Sequence, residues 1–334
     1  MKIWSVFWLV LFLSGCSTQS TQPLSTAEKP MPEWFLNLPM DASGQVLYGA
    51  GEGDSRKAAV QAALVDIASQ LSIQVASDFE TRLNVKESTY TLVDRTTQKQ
   101  IRSQVSEITI QDYQVLDVEQ LAYDKYVALV NVSKKKLFND LKAQVQQQVS
   151  LLTAAEQNQS DSSVLMQYLF YKSSLQSLKP FEQTLKVLKT LNPTVSMQSY
   201  HQFLTHYQQR NNQLKSQIQW KIEADHSSQK WAGLIQHALS QQGFQVSPSA
   251  DSNSTSVIHL TTRLNSSNAY GFHIARVVLN VDILSEGVSI GGNQIHLKGQ
   301  AVNSLDQALN NAATKLQKQL EQQGLNQVIG LRHL

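Results

Sequence analysis

The sequence predicts an α+β protein. It reads as two small α/β sandwich modules, each with helices on a mostly antiparallel sheet, joined by a helical segment and preceded by a signal peptide and a flexible tether. Three observations predict this. Runs of β-forming residues recur in two blocks, one before Ser133 and one after Gln219. Between them the apolar residues switch to helical spacing. The first sixteen residues form an export-type leader that ends at Cys16, the single cysteine of the chain.

The leader sets the compartment. Lys2 is a minimal positive start, and Ile3 to Leu13 is apolar apart from Ser5. That run is too short for a membrane span of about 20 residues and has the length of a secretory h-region. It closes on Leu13-Ser14-Gly15-Cys16, which resembles a bacterial lipobox. The resemblance implies that Leu13, Ser14 and Gly15 direct processing, that the chain is cut before Cys16, and that Cys16 is acylated. Each buried methylene then contributes about 0.8 kcal/mol, so several acyl chains make a durable anchor. Ser17, rather than Asp, follows the cysteine, which by the same resemblance implies the outer membrane. The expected location is the periplasmic face of that membrane, with the bilayer as a partner through the lipid. Ser17 to Lys29 is mostly Ser, Thr and Gln, with Leu24 its one large apolar residue, and reads as a tether of roughly 20 Å.

Composition excludes several chemistries. With Cys16 committed to the anchor, the folded part has no disulfide, thiolate nucleophile or cysteine metal site. A formal charge of +2 over 334 residues leaves no polybasic field, so nucleic acid is not an expected partner. No cofactor and no metal is expected. The boundaries read as 1–15 signal peptide, 16–30 lipidated cysteine and tether, 31–133 first α+β module, 134–218 helical segment and 219–334 second α+β module.

The first module opens on "MPEWFLNLP", where Trp34 and Phe35 between Pro32 and Pro39 read as a hydrophobic plug. "VLYGAGEGDS" follows, Val46 to Ser55. Strand, glycines and helix in that order imitate a dinucleotide fingerprint, and Asp78 stands where such folds hold a ribose. The phosphate reading fails on chemistry. A strict G-x-G-x-x-G needs Gly at position 54, where Asp54 stands, and Glu52 and Asp54 would repel a phosphate. The glycines are instead expected to turn the chain with positive φ and to let a helix approach closely, with Asp54 or Ser55 as its cap. Val60, Leu64, Ile67, Ala68 and Leu71 form the helical stripe. "SIQVASDFETRLNVK" alternates and is expected to be a half-buried strand with Asp78 on its wet face. Ser88 to Gln104 reads as helix or loop. "EITIQDYQVLDVEQL" and "KYVALVNVS" read as a hairpin around Ala122 to Lys125.

"PEWF", "YGAGEGDS" and "DIASQLSIQVAS" together resemble the Lpp-twenty lipoprotein family over Met31 to Ser133. The resemblance implies a small Gram-negative outer-membrane lipoprotein, with some relatives in flagellar outer-membrane rings. It makes Trp34, Tyr48, Gly49, Gly51, Gly53, Ala59 and Ala63 framework positions and brings no catalytic residues.

Leu137, Leu141, Val145, Val149 and Leu152 start the helical segment, with Ser133 as its cap. "VLMQYLFYKSSLQSL", "FEQTLKVLKTLN" after Pro180 and "SYHQFLTHYQQRNNQLKSQI" continue it as a Gln-rich bundle or arm. The second module reads β-α-β-β-β-β-α, from "QWKIEA" to the final helix with Leu305, Leu309, Ala312, Leu316 and Leu320 on one face.

Two motifs hint at chemistry. "GVSIG", Gly287 to Gly291, matches the G-x-S-x-G nucleophile elbow, but a strand follows instead of a helix, so a hairpin turn around Gly291-Gly292-Asn293 is expected. A Ser289–Asp306–His333 triad has the right chain order, with His333 in the tail. His259, His273 and His296 lie on neighbouring predicted strands, whereas His201 and His206 do not share a helical face. The basic run Ser133 to Lys136 reads as a solvated helix start, and Tyr123 and Tyr126 as packing residues at the hairpin. The functional expectation is a non-enzymatic scaffold or assembly factor in an envelope complex, with flagellar or other envelope proteins as partners and homo-oligomers as an option. The alternative is a periplasmic ligand-binding protein or hydrolase acting on envelope glycans or lipids, with a deep pocket at Ser289 or the strand histidines.

Overall fold

The computed structural model describes residues 29–84, 110–247 and 256–331, with backbone only for 78–84. They fall into two compact units: residues up to Ile67 with Ile110–Ser133, and Ala68 onward with Lys134–Leu334. The fold class is α+β, as the sequence predicts.

In the first unit a short helix α1 (Glu33–Leu36) precedes strand β1 (Val46–Gly53). Helix α2 (Arg56–Asn84) follows. Strands β2 (Gln114–Ala122) and β3 (Lys125–Ser133) form the expected hairpin. The sheet order is β1-β3-β2, and both pairings are antiparallel. β3 is central, and its Val127, Ala128, Leu129, Val130 and Val132 are buried.

Helix α2 settles one expectation and corrects another. The Ser55 hydroxyl accepts from the Ala58 amide at 3.3 Å, so Ser55 is the cap. The strand expected from Ser72 is helix instead, continuous to Asn84. Ala68, Leu71, Ser72, Val75 and Ala76 are buried, which prolongs the stripe of Ala59, Val60, Ala63 and Ile67 at helical spacing. Ile73, half of the apparent alternation with Val75, is 55% exposed. No Gly or Pro interrupts residues 54–84, so nothing stops the helix once nucleated. Arg56–Ser77 is long and apolar enough to cross a membrane by composition, but its buried stripe marks a core helix. Asp78 lies on this helix. Ser88 to Gln104 and the start of the "EITI" run lie outside the described residues.

The second unit begins with four helices, α3 (Lys134–Gln157), α4 (Val164–Ser177), α5 (Lys179–Leu191) and α6 (Gln198–Gln217). Leu137, Leu141 and Val145 are the buried face of α3. Ser163 caps α4 by accepting from the Met166 amide. Pro180 occupies the first turn of α5, where its missing N–H has no partner to lose. Phe181, Phe203 and Tyr207 stack through the interior. Tyr168 meets Phe244 edge-on at 5.7 Å, and Phe244 meets Trp220 at 6.1 Å, so the bundle shares a core with the module that follows.

That module has β4 (Gln219–Ala224), α7 (Gln229–Gln241), β5 (Gln245–Val246), β6 (Ser256–Ala269), β7 (Phe272–Ser285), β8 (Val288–Ala301), α8 (Leu305–Gln323) and a short α9 (Leu325–Ile329). The expected order holds. The sheet runs β5-β4-β6-β7-β8, with β4 parallel to β5 and β6 and the rest antiparallel. Along β7 the odd residues from Ala275 to Ser285 are buried and the even ones are not, so one face carries the core. The two hairpins reverse at Tyr270-Gly271 and Glu286-Gly287, each pair with positive φ. Such mirror-image turns match the twist of the strands. The expected turn at Gly291-Gly292-Asn293 is therefore displaced: these residues lie inside β8. Gly291 and Gly292 serve close packing instead. A Cβ on Gly291 would stand 2.8 Å from the Gly330 carbonyl oxygen, and one on Gly292 would stand 2.5 Å from that of Val281.

Candidate functional site

Five of the framework positions, Gly49, Gly51, Gly53, Ala59 and Ala63, meet at the contact between β1 and α2. Gly49, Gly51 and Gly53 do not form a loop. They are consecutive alternate residues of β1, and none has positive φ. Alternation puts all three on one face of the strand, and that face meets the backbone of α2. A Cβ on Gly49 would stand 2.3 Å from the Ala63 carbonyl oxygen. One on Gly51 would stand 2.1 Å from the Ala63 nitrogen, and one on Gly53 would stand 2.5 Å from the Ala59 nitrogen. The glycines pair with Ala59 and Ala63, one helical turn apart, which are fully buried. The cradle expected to turn the chain is a flat seat for a helix, with no room for a phosphate.

The same device recurs in the second unit. Gly299 of β8 faces Ala308 and Ala312 of α8, again one turn apart, and a Cβ there would stand 1.7 Å from the Ala308 carbonyl oxygen. A strand glycine against a helical Ala pair brings sheet and helix backbones into contact in both modules.

β1 is an edge strand, so its outward amides need partners. The Ala50 N–H donates to Asp66 Oδ2 at 3.2 Å, which ties the edge back to α2. Lys125 and Glu52 approach to 3.8 Å across the sheet. Tyr48 is half-buried opposite Asn131. Trp34 is half-buried and meets Phe35 edge-on at 6.0 Å. Cys16, Leu13, Ser14 and Gly15 lie outside the described residues.

Among the described residues β2 is the opposite edge. Its Leu121 carbonyl accepts from the Lys29 amide at 2.9 Å, where the tether ends. Ahead of that contact, Tyr113, Val115 and Leu116 are 39%, 40% and 47% exposed. Tyr123, expected to pack, stands 90% exposed at the β2–β3 turn. The turn gives it no neighbouring element to pack on. An apolar edge of this kind is a template for pairing with another chain.

Among the described residues the chemistry sought elsewhere is not brought together. Ser289 lies on β8, and its hydroxyl donates to Asp282 Oδ1 at 2.7 Å on an exposed face. Asp306 is in the first turn of α8, and His333 lies outside the described residues. The strand histidines do not meet: His259 is opposite Asp282, His296 opposite Val278 and His273 opposite Ala301. Among the described residues no three His, Cys, Asp or Glu side chains gather as metal ligands.

One polar cluster escaped the sequence. His206 of α6 lies 2.7 Å from Glu156 Oε1 of α3, and the Tyr171 hydroxyl of α4 donates to the same oxygen. Burial alone would raise the Glu156 carboxyl; the hydrogen bonds from His206 and Tyr171 outweigh it and hold the group below its ordinary range. Burial and that carboxylate push the Tyr171 hydroxyl up to about 12. The three residues are 15 and 50 positions apart in sequence, and only the bundle joins them.

The glycine seat, the Ala pair and the preceding Trp lie in one continuous segment. Residues 32–133 match the LPP20 lipoprotein family. That match spans about a third of the chain, and over it the chain is similar to LPP20 lipoproteins. The LPP20 segment holds α1, β1, α2, β2 and β3, and so contains each framework position named above. Similar solved structures include the secreted protein HP1454 of Helicobacter pylori, 14% identical, covering 85% of this chain and 97% of that one with a TM-score of 0.46. A minor lipoprotein of Acinetobacter baumannii is 15% identical over 34% of this chain and 97% of that one, TM-score 0.26. The rare lipoprotein B of Shewanella oneidensis is 14% identical over 33% and 89%, TM-score 0.22. No curated protein matches the chain.

Proposed function

We propose that this lipoprotein is anchored by acylated Cys16 at the periplasmic face of the outer membrane and acts as a non-enzymatic scaffold or assembly factor in an envelope complex. The observation that carries this reading is the β2 edge. Tyr113, Val115 and Leu116 are apolar and exposed, and they stand at or beside a strand whose outer side pairs with no other described strand. A partner strand added there gains main-chain hydrogen bonds and covers these side chains together. The LPP20 segment supplies the rigid base: the glycine seat locks β1 to α2, so the docking edge is held by a stiff layer. The family resemblance makes flagellar or motility-linked assemblies the first partners to test, and a ring of identical copies one form of the complex.

The test is cross-linking in cells of the lipidated chain carrying a photoreactive residue at Val115, with mass spectrometry of the captured proteins. Capture of envelope proteins that is lost with Cys16→Ala and with Leu116→Lys supports the reading. Capture that survives Leu116→Lys moves the interface off β2. No capture by a well-folded, membrane-located protein refutes the scaffold role.

A further inference from the structure

The β6–β7 hairpin makes its mirror-image turn through a bulky aromatic residue. Tyr270 sits at φ 53 next to Gly271 at φ 77. This first turn position favours Asn, Asp or Gly, and a bulky residue there is strained. Tyr270 gains no packing in return, because it is 99% exposed. Phe272, the next side chain past the turn, is 40% exposed. The hairpin thus holds an aromatic tip in solvent against local preference, and strain of this sort marks function.

Behind the tip the open face of the sheet is basic. Arg276 is directly opposite Lys298, and Arg263 lies in the adjacent row, opposite Val278 and beside His296. Together they line a shallow depression of about 420 Å³. Like charges placed opposite each other on a sheet oppose pairing. Among the described residues no ion pair neutralises Arg263, Arg276 or Lys298. There is no Asp or Glu from Leu260 to Val281, nor within β8. Asp282 and Glu223 lie farther from the tip, and Asp306 opens α8 beyond the end of β8. Arg276 Nη1 reaches the Ser267 hydroxyl at 3.2 Å, in the row of Ile274. That sets its guanidinium roughly 7 Å behind the Phe272 row, at two residues of strand rise.

We infer that the β6–β7 hairpin is a membrane-surface contact, with Tyr270 and Phe272 at the headgroup boundary and Arg263, Arg276 and Lys298 on anionic lipid headgroups. Aromatic side chains settle at that boundary, and the headgroup zone is about 5–8 Å deep per leaflet, which matches the offset between tip and guanidinium. A free phosphate would use the cations and leave the aromatics idle. An anionic bilayer uses both. This contact goes beyond the scaffold reading and is independent of the β2 edge.

The experiment uses the full lipidated chain with Asn268→Cys, labelled at the new thiol with an environment-sensitive fluorophore. The chain is reconstituted in vesicles of phosphatidylcholine alone or with added phosphatidylglycerol. Expected is a blue shift, with quenching by brominated acyl chains, in the anionic vesicles, reversed by high salt. Arg263→Gln and Arg276→Gln each lower the inserted fraction about fivefold relative to free. Tyr270→Asn lowers it as well, while melting no earlier than the parent, which separates lost contact from lost folding. A label that stays in water on anionic vesicles, with the protein still vesicle-bound, overturns the inference and leaves the Cys16 anchor intact. A shift that is equal in both vesicle types and grows with protein density overturns it in favour of contact between copies. Loss of the protein from the vesicles altogether counts against the anchor and is read separately by co-flotation.

Discussion

Gly51→Ala tests the glycine seat directly. The added Cβ would lie 2.1 Å from the Ala63 nitrogen and 2.5 Å from the Ala59 carbonyl oxygen. Ordinary contact begins near 3.4 Å, so α2 must move away by more than 1 Å. Both obstacles are backbone atoms in a helix and cannot rotate aside. Overpacking of a tight core costs about 1–3 kcal/mol, and a clash with backbone belongs at the top of that range. One opposing effect is smaller: replacing Gly by Ala restricts the unfolded chain and stabilises by about 0.4–1 kcal/mol. The expected net loss is about 2 kcal/mol. Native-state hydrogen exchange on peptides covering Val46 to Ile67 measures it locally, which matters in a chain of two units where one global transition is not guaranteed. Protection should fall by about thirtyfold, the equivalent of 2 kcal/mol. Gly233→Ala is the matched control. Gly233 lies within α7 with nothing within 4 Å of its would-be Cβ, so Ala should stabilise that helix by about 1 kcal/mol. If Gly51→Ala protects β1 and α2 as well as the parent does, the close approach is not what selects glycine there.

The remaining predictions concern charge and edge. Asp41 accepts from the Ser43 hydroxyl and from the amides of Ser43, Gln45 and Val46, which holds its carboxyl down to about 2 from an ordinary 3.8. The turn before β1 should therefore be intact above pH 3.8 and lost as pH falls through about 2, and an NMR titration of the Asp41 carboxyl checks the midpoint. Glu156 is also depressed when folded, so its contribution is present above the ordinary carboxylate range and lost on acidification. Glu156→Gln should flatten the acid limb of bundle stability in urea titrations at stepped pH. Asp66→Ala removes the acceptor of the Ala50 amide and should cost about 1–2 kcal/mol, seen as faster exchange of that amide.

The α+β class was legible because periodicity records burial. β3 reads as a strand over "KYVALVNVS", and α8 reads as a helix from its Leu305, Leu309, Ala312, Leu316 and Leu320 stripe, since each meets one apolar layer. Periodicity failed at Ser72 to Asn84. Val75 fits both a strand and a helix pattern, and only the continuation of the Ala59–Ile67 stripe decides between them. The framework positions came from the family resemblance, and the role expected of the glycines was half wrong. Glycine has two uses, positive φ and close approach, and sequence does not say which one is in play. Glu156, His206 and Tyr171 gave no joint signal, because they stand on three different helices that only the bundle brings together.

By itself the sequence determined the local elements, the lone cysteine at a lipobox-like site and the absence of carboxylates from Leu260 to Val281. These are properties of composition and short-range spacing, which every conformation of the chain shares. The tertiary structure alone decided that three glycines seat a helix, that Arg276 faces Lys298, and that Tyr113, Val115 and Leu116 are exposed at the outer strand of the described sheet. Those facts depend on which strands become neighbours and which become edges, and strand pairing joins residues whose separation in sequence carries no trace of the contact.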